Sequence, residues 1–512
     1  MERSWKFMKK LTLASLVLMI FTSVYGFANM PRAFFLMGYG SIAWYVLGAI
    51  VFFLPYAFMM AEYGSAFKNE KGGIFSWMQL SVGPKYAFVG TFMWYSSYII
   101  WQVNVSSSLW VPLSNAVYGR DITGSLKFMG LEGPQVLGIL GMCWIVFVTF
   151  VGSFGVDKIS KITSVGGIAV TALNLVLLFG AIIALILNGG TLAQPINDFA
   201  QTVTVSPNPN YQSTLSLVSF FTFAIFAYGG IEVIGGLVDQ TENPSVTFPK
   251  GVAFSAIIIA LGYAIGIFMI GTFTNWESVL SNPSVNNANI TYVVMSNLGY
   301  VLATGLGYST EAAIVTGQWC ARFVGISMFL ALTGAFFTLT YAPLKQLIEG
   351  TPQGLWPKKL LVTKRNMPVN AMWAQAAIVM VFILLVSFGG KEAAKFFDKL
   401  ITMTNVAMTL PYMFLSVAFP FFKRKQNIEK PFEVYKSYGS ALFASIVVTC
   451  SVGIANVISI IEPAIAKGRY VDTLLSGGGP IFFALVAFGI YTHYENKNNT
   501  PSKPSVKQKA TS

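Results

Sequence analysis

Twelve largely apolar stretches, most of about 20 residues or more, follow one another along this chain between polar connections. A run of that length crosses the hydrocarbon core of a bilayer as an α-helix, which satisfies its backbone N–H and C=O groups without water. The stretches are 11–37, 41–66, 86–117, 134–153, 160–187, 212–238, 250–273, 319–347, 370–389, 396–421, 440–462 and 474–494. The expected fold is therefore an all-α polytopic membrane protein with twelve transmembrane helices. Only 10% of residues are charged, against about a quarter in a soluble domain. The net charge of +13 does not imply a nucleic-acid partner, because the basic residues cluster in short loops. Lys358, Lys359, Lys364 and Arg365 share one loop, and Lys423, Arg424, Lys425 and Lys430 another, whereas connections 188–211 and 274–318 contain no Lys or Arg. By the positive-inside rule, residues 1–10 and the polar tail 495–512 are both cytoplasmic. The first run is too long for a signal peptide and shows no cleavage site, so it reads as a retained helix.

The sixth stretch breaks its own pattern. Residues Phe223 to Pro244 read FAIFAYGGIEVIGGLVDQTENP, with glycine pairs at Gly229–Gly230 and Gly235–Gly236 and Glu232 between them. A carboxylate among apolar residues is costly in lipid and marks a substrate or ion pathway. Glycines let the backbone unwind, which is tolerable where it lines a cavity or is buried in protein. The bland alternative is close helix packing through small residues. A second interruption, FTSVYGFAN from Phe21 to Asn29, lies in the first stretch. Two broken helices at corresponding places in two half-proteins point to a transporter's central site.

Spans one to five (11–187) and six to ten (212–421) can be superposed only with opposite orientation, which makes a 5+5 inverted repeat. The outer loop 188–211 lies between the halves, and two further helices (440–494) follow. Each break exposes amides at one half-helix and carbonyls at the other, favouring an anion and a cation respectively. A zwitterionic amino acid or close relative carries both charges. No metal-ligand spacing, nucleotide loop or catalytic cluster is present. Cys143, Cys320 and Cys450 suggest no disulfide framework, and the lone His493 sits where the last span runs out. Neither an enzyme nor a cofactor or metal is expected.

Ala61–Glu62, EKGGIFSWMQLSVGPKYAF from Glu70 to Phe88, and FAYGGIE with DQTENP downstream resemble the amino acid–polyamine–organocation transporters. The nearest branch is similar to the glutamate/γ-aminobutyrate antiporters, and within it to a bacterial inner-membrane transporter type. The resemblance implies a leucine-transporter-like fold, with helices 1 and 6 discontinuous and two C-terminal helices added. It places the substrate carboxylate at the amides of Ser23–Phe27, including Tyr25 and Gly26, and the amine at the carbonyls of Ala224–Ala227, beside Gly229 and Gly230. Phe226 takes the place of the gate residue over the ligand, and Gln102 that of a polar residue reading the side chain. Glu232 takes the acidic position that couples protons or movement. One departure is that Ser23-Val24-Tyr25-Gly26 replaces the usual Gly-Ser-Gly-type pattern, so Tyr25 either donates its hydroxyl there or simply packs.

Arg322 reads equally as an outer gate or as a side chain snorkelling to water. Glu62 reads as structural, and Trp94, Tyr98 and Trp101 as packing aromatics. Lys345 reads as another positive-inside charge, and Asn174, Asn405 and Asn456 as interhelical hydrogen-bonding groups. Ile290–Leu306 reads as a re-entrant or surface-lying helix over the outer mouth. The fifth span has no lysine after Lys161 to stand in for a coupling ion, so exchange is the default. The expected function is amino-acid antiport across the inner membrane, with a proton-coupled symporter or a transporter-like sensor as alternatives. With Arg322 taken as the only basic group in the core spans, neutral or zwitterionic substrates are favoured over glutamate. A small-molecule substrate and the lipid bilayer are the expected partners, and a homodimer is left open.

Overall fold

The computed structural model describes residues 10–287, 289–352, 354–390 and 406–499. The described chain is helical, with isolated bridge pairs such as Leu11 to Thr241 and no strand. Ten helical segments are long and apolar enough to cross a membrane: 13–37, 40–66, 133–152, 156–187, 214–240, 244–273, 310–350, 369–388, 438–466 and 470–498. The third expected span is two helices, Pro84–Ser108 and Trp110–Tyr118. The tenth is represented by Leu410–Arg424, while its expected start, and Asn405 with it, lies outside the described residues.

Local chemistry sets several boundaries. The Thr12 hydroxyl accepts from the Ser15 amide and starts α1 (Leu13–Val24). A reciprocal Glu132–Gln135 capping box with Pro134 in the first turn starts Gly133–Gly152, satisfying amides that have no partner inside the helix. A left-handed Gly468 ends Tyr438–Lys467, as expected where the chain must leave a helix abruptly.

The core is built on α1, α2 (Asn29–Met37), the long helices Val156–Leu187 and Pro244–Phe273, and the 41-residue helix Thr310–Gly350. At 1.5 Å per residue the last is about 60 Å long, twice the hydrocarbon thickness. Glycines bring these helices close. A Cβ on Gly166 would lie 2.7 Å from the Leu330 carbonyl oxygen, and one on Gly334 3.0 Å from the Cα of Thr163, whose hydroxyl donates to the Gly334 carbonyl (3.1 Å).

Two short elements cover the ends. Ile74–Ser81 is a buried helix inside what the sequence presents as a loop. Ile290–Gly305, at 16 residues too short to span, packs on Thr310–Gly350 with Thr291 and Tyr292 facing inward. The start of α1 pairs with the end of the sixth segment: the Leu11 amide donates to the Gln240 carbonyl, and the Glu242 amide to that of Leu11 (both 2.9 Å). The first half of segment one and the second half of segment six therefore share one side of the bundle, here the Leu11 side.

Candidate functional site

The first segment leaves α-helix at Tyr25, whose backbone is extended, and resumes at Asn29. The sixth leaves after α11 (Thr214–Phe226), turns through Ala227–Gly230, and continues as a ten-residue 3-10 run, Ile231–Gln240. Such runs rarely exceed three or four residues, and this one is held from outside. The Gln346 side-chain amide donates to the Val233 carbonyl (2.9 Å) and its oxygen accepts from the Ile74 amide (2.8 Å). The Lys345 ammonium donates to the Gly236 carbonyl (3.0 Å) and pairs with Asp239. The Gln240 side chain donates to the Tyr341 hydroxyl (2.6 Å).

The two breaks touch. Gly230 has φ +111°, and a Cβ there would lie 2.6 Å from the Ser23 carbonyl oxygen. Its amide donates to the Tyr412 hydroxyl (3.1 Å). One side chain joins both breaks: the Tyr263 hydroxyl accepts from the Gly26 amide (3.0 Å) and the Asn29 side chain (3.2 Å) and donates to the Ala227 carbonyl (3.1 Å). The two backbone groups expected to hold carboxylate and ammonium are thus tied to one hydroxyl.

Two cavities flank this junction. A 540 Å³ cavity is lined by Ser23, Phe226, Gly229 and Gly230, by Tyr98 and Trp101, and by Leu339, Thr409 and Tyr412, and extends to Ser459, Glu462 and Ser476. A 410 Å³ cavity is lined by Tyr25, Gly26, Phe27, Asn29 and Arg32, with Ser108, Thr291 and Tyr292. Four of the expected binding residues line the first cavity (Ser23, Phe226, Gly229, Gly230) and three the second (Tyr25, Gly26, Phe27).

Ala224, Ala227 and Gln102 line neither cavity. Ala224 is buried against Gly48. Gln102 accepts from Gln375 (3.3 Å), which also meets Tyr95 and the Thr340 carbonyl. Tyr25 donates to Asn174 (2.8 Å) and its ring lies 4.7 Å from Tyr263. Glu232 is fully buried behind Tyr98: one carboxylate oxygen accepts from Trp94 (3.1 Å) and Tyr98 (3.4 Å), and the other has no partner among the described residues. Trp94 and Tyr98 are thus polar partners as well as packing groups. Arg322 donates to the Val117 and Ala116 carbonyls at the end of Trp110–Tyr118, a favourable place for a cation at a helix C-terminus.

The residues expected to be structural make specific contacts. Glu62 pairs with Lys423 (2.9 Å) and accepts from the Val434 and Tyr435 amides (2.6 and 2.7 Å). Asn456 accepts from the Thr409 hydroxyl (2.7 Å). Lys345, expected to be another positive-inside charge, is 1% exposed and paired with Asp239. Breaking a buried pair costs about 3–5 kcal/mol. Asp239→Ala should therefore lower the melting temperature of purified protein by several degrees. The double variant Asp239→Leu/Lys345→Met should recover part of that loss, and an unchanged melting temperature in Asp239→Ala would place the pair outside the fold's stability.

The sequence profile of the amino acid permease family matches residues 11–474. The inner membrane transporter YjeM of Escherichia coli (strain K12) is 55% identical over 487 residues, covering 95% of this chain and 96% of that protein. Its counterpart in Salmonella typhimurium is 54% identical over 96% and 97%. The glutamate/gamma-aminobutyrate antiporter of Lactococcus lactis subsp. lactis is 24% identical over 83% of this chain and 78% of its own length.

Proposed function

Because this chain belongs to the amino acid permease family, we propose that it exchanges amino acids or related amines across the cytoplasmic membrane by alternating access. The observation that carries this reading is the meeting of two unwound segments at Ser23–Gly230 beside a 540 Å³ cavity. Backbone that leaves its helix at membrane depth is stable only when buried or lining a cavity, and here it does both. The amides opening α2 favour a carboxylate and the carbonyls closing α1 and α11 an ammonium. In this reading twelve spans form a 5+5 inverted repeat plus two helices, with both termini inside.

The Leu11 side is then the inner face. It is closed by Lys345–Asp239, Gln346–Val233 and the Leu11–Gln240 backbone pair. Both cavities lie towards the outer side, where Arg32 and Tyr292 line one and Glu462 the other. Substrate bound at the junction replaces contacts made by Tyr263, and the inner ties part as the outer cavities close. Return with a second substrate completes one exchange.

Phe226 is half-buried in the wall of the larger cavity. Phe226→Ala should weaken substrate uptake about 10- to 100-fold, the loss of about 1.5–3 kcal/mol of apolar contact, with expression and monodispersity intact. Unchanged apparent affinity in reconstituted vesicles would remove Phe226 from the site. A second reading, proton-coupled uptake, draws on the unpartnered Glu232 oxygen behind Tyr98. Vesicles without internal amino acid separate the two: an inward proton gradient alone drives concentrative uptake under coupling and does not under exchange.

A further inference from the structure

Among the described residues, Arg32 is the one cation in the wall of the 410 Å³ cavity, and the exchange reading leaves it unused. It lies in the first turn of α2, three residues past Asn29, and is half-buried. Its Nε donates to the Asn287 carbonyl (3.0 Å). A guanidinium has five N–H donors, and the other four have no acceptor among the described residues. No carboxylate of the described residues pairs with it. Arginine within a membrane-spanning segment is costly, rare and functional by default.

Around it stand neutral polar groups, Asn29, Ser108, Thr291 and Tyr292. They can orient an anion but cannot neutralise the cation. The preference for neutral substrates drawn from sequence took Arg322 as the only basic group in the core, yet Arg322 is occupied by the Val117 and Ala116 carbonyls. Arg322 lines neither cavity, whereas Arg32 lines the 410 Å³ cavity next to the break at Gly26–Asn29.

We propose that Arg32 is a specificity-determining residue whose guanidinium pairs with the side-chain carboxylate of an acidic amino acid in this cavity. The planar fork meets both carboxylate oxygens at once, which a carboxamide of the same shape cannot match in charge. This inference rests on the exchange reading and names the substrate class of that site.

The test compares L-glutamate with its neutral isostere L-glutamine, and with L-lysine, in wild type, Arg32→Gln, Arg32→Lys and Glu462→Gln. Two readouts are taken: thermal stabilisation of purified protein, and uptake into proteoliposomes at matched protein. Arg32→Gln should lower the glutamate-to-glutamine ratio about 30-fold or more, as for a lost buried charge pair, and Arg32→Lys should restore part of it. A role confined to holding Asn287 would depress both ligands together and leave that ratio unchanged, which would overturn the inference. So would a wild-type preference for lysine that disappears in Glu462→Gln, because Glu462 is the acidic group lining the other cavity. Glutamate stabilisation that depends on Arg32, without uptake of any amino acid, would uphold the site and remove the exchange reading instead.

Discussion

Gly230→Ala is expected to abolish exchange. At φ +111° an alanine is strained by about 1–3 kcal/mol, and its methyl carbon would sit 2.6 Å from the Ser23 carbonyl oxygen. That atom is backbone and cannot rotate away. Relief requires the two broken segments to separate, which also pulls the Gly230 amide from the Tyr412 hydroxyl. Gly229→Ala should fall nearly as far, because its methyl would meet that same hydroxyl at 2.5 Å. The glycine pair at Gly235–Gly236 is not an indifferent control, since a methyl on Gly236 would lie 2.8 Å from the Ala342 carbonyl. Gly478, with no atom near its Cβ position, is the proper comparison. Near-normal counterflow in both first-pair variants would leave those glycines as packing residues only.

Tyr263→Phe is the second large effect. The ring stays and the hydroxyl goes, so the Gly26 amide and Ala227 carbonyl lose a shared partner while packing is kept. Each buried polar group left unpaired costs about 1–3 kcal/mol. Because the hydroxyl is the direct link between the two breaks, that cost falls on their relative placement. Exchange should drop at least about 10-fold, the equivalent of 1.4 kcal/mol, and the melting temperature should fall as well. Tyr45→Phe should do neither, because the Tyr45 hydroxyl has no partner among the described residues although it lies in the same aromatic cluster. Equal behaviour of the two variants would mean that the Tyr263 hydroxyl is not what joins the breaks.

The apolar runs were legible because lipid permits so few backbone solutions: most expected spans match a described helix to within a few residues. The interruption of segment six was legible from two glycine pairs flanking an acid. Its 3-10 continuation was not, because the residues that hold it, Lys345 and Gln346, come from a helix about 100 positions away in sequence. Lys345 looked like a loop charge because its place at the end of a span says nothing of Asp239. Tyr263 sits in LGYAIG, where a tyrosine among small and apolar residues gives no sign of its partners. Arg32 could have been found: it lies in the first apolar run, three residues past the Phe21–Asn29 interruption, yet the expected substrate preference rested on Arg322 as the only basic group of the core. Gln102, expected to read the substrate side chain, lines neither cavity and accepts from Gln375.

The central claim, exchange at the junction of two broken helices, is tested most directly by counterflow. Purified protein is reconstituted into vesicles preloaded with unlabelled amino acid, and uptake of the radiolabelled amino acid is followed against vesicles preloaded with buffer alone. The account predicts strong stimulation by internal substrate in wild type and Gly478→Ala, and none in Gly230→Ala. Uptake of equal size with and without internal amino acid, or counterflow undiminished in Gly230→Ala, would contradict it.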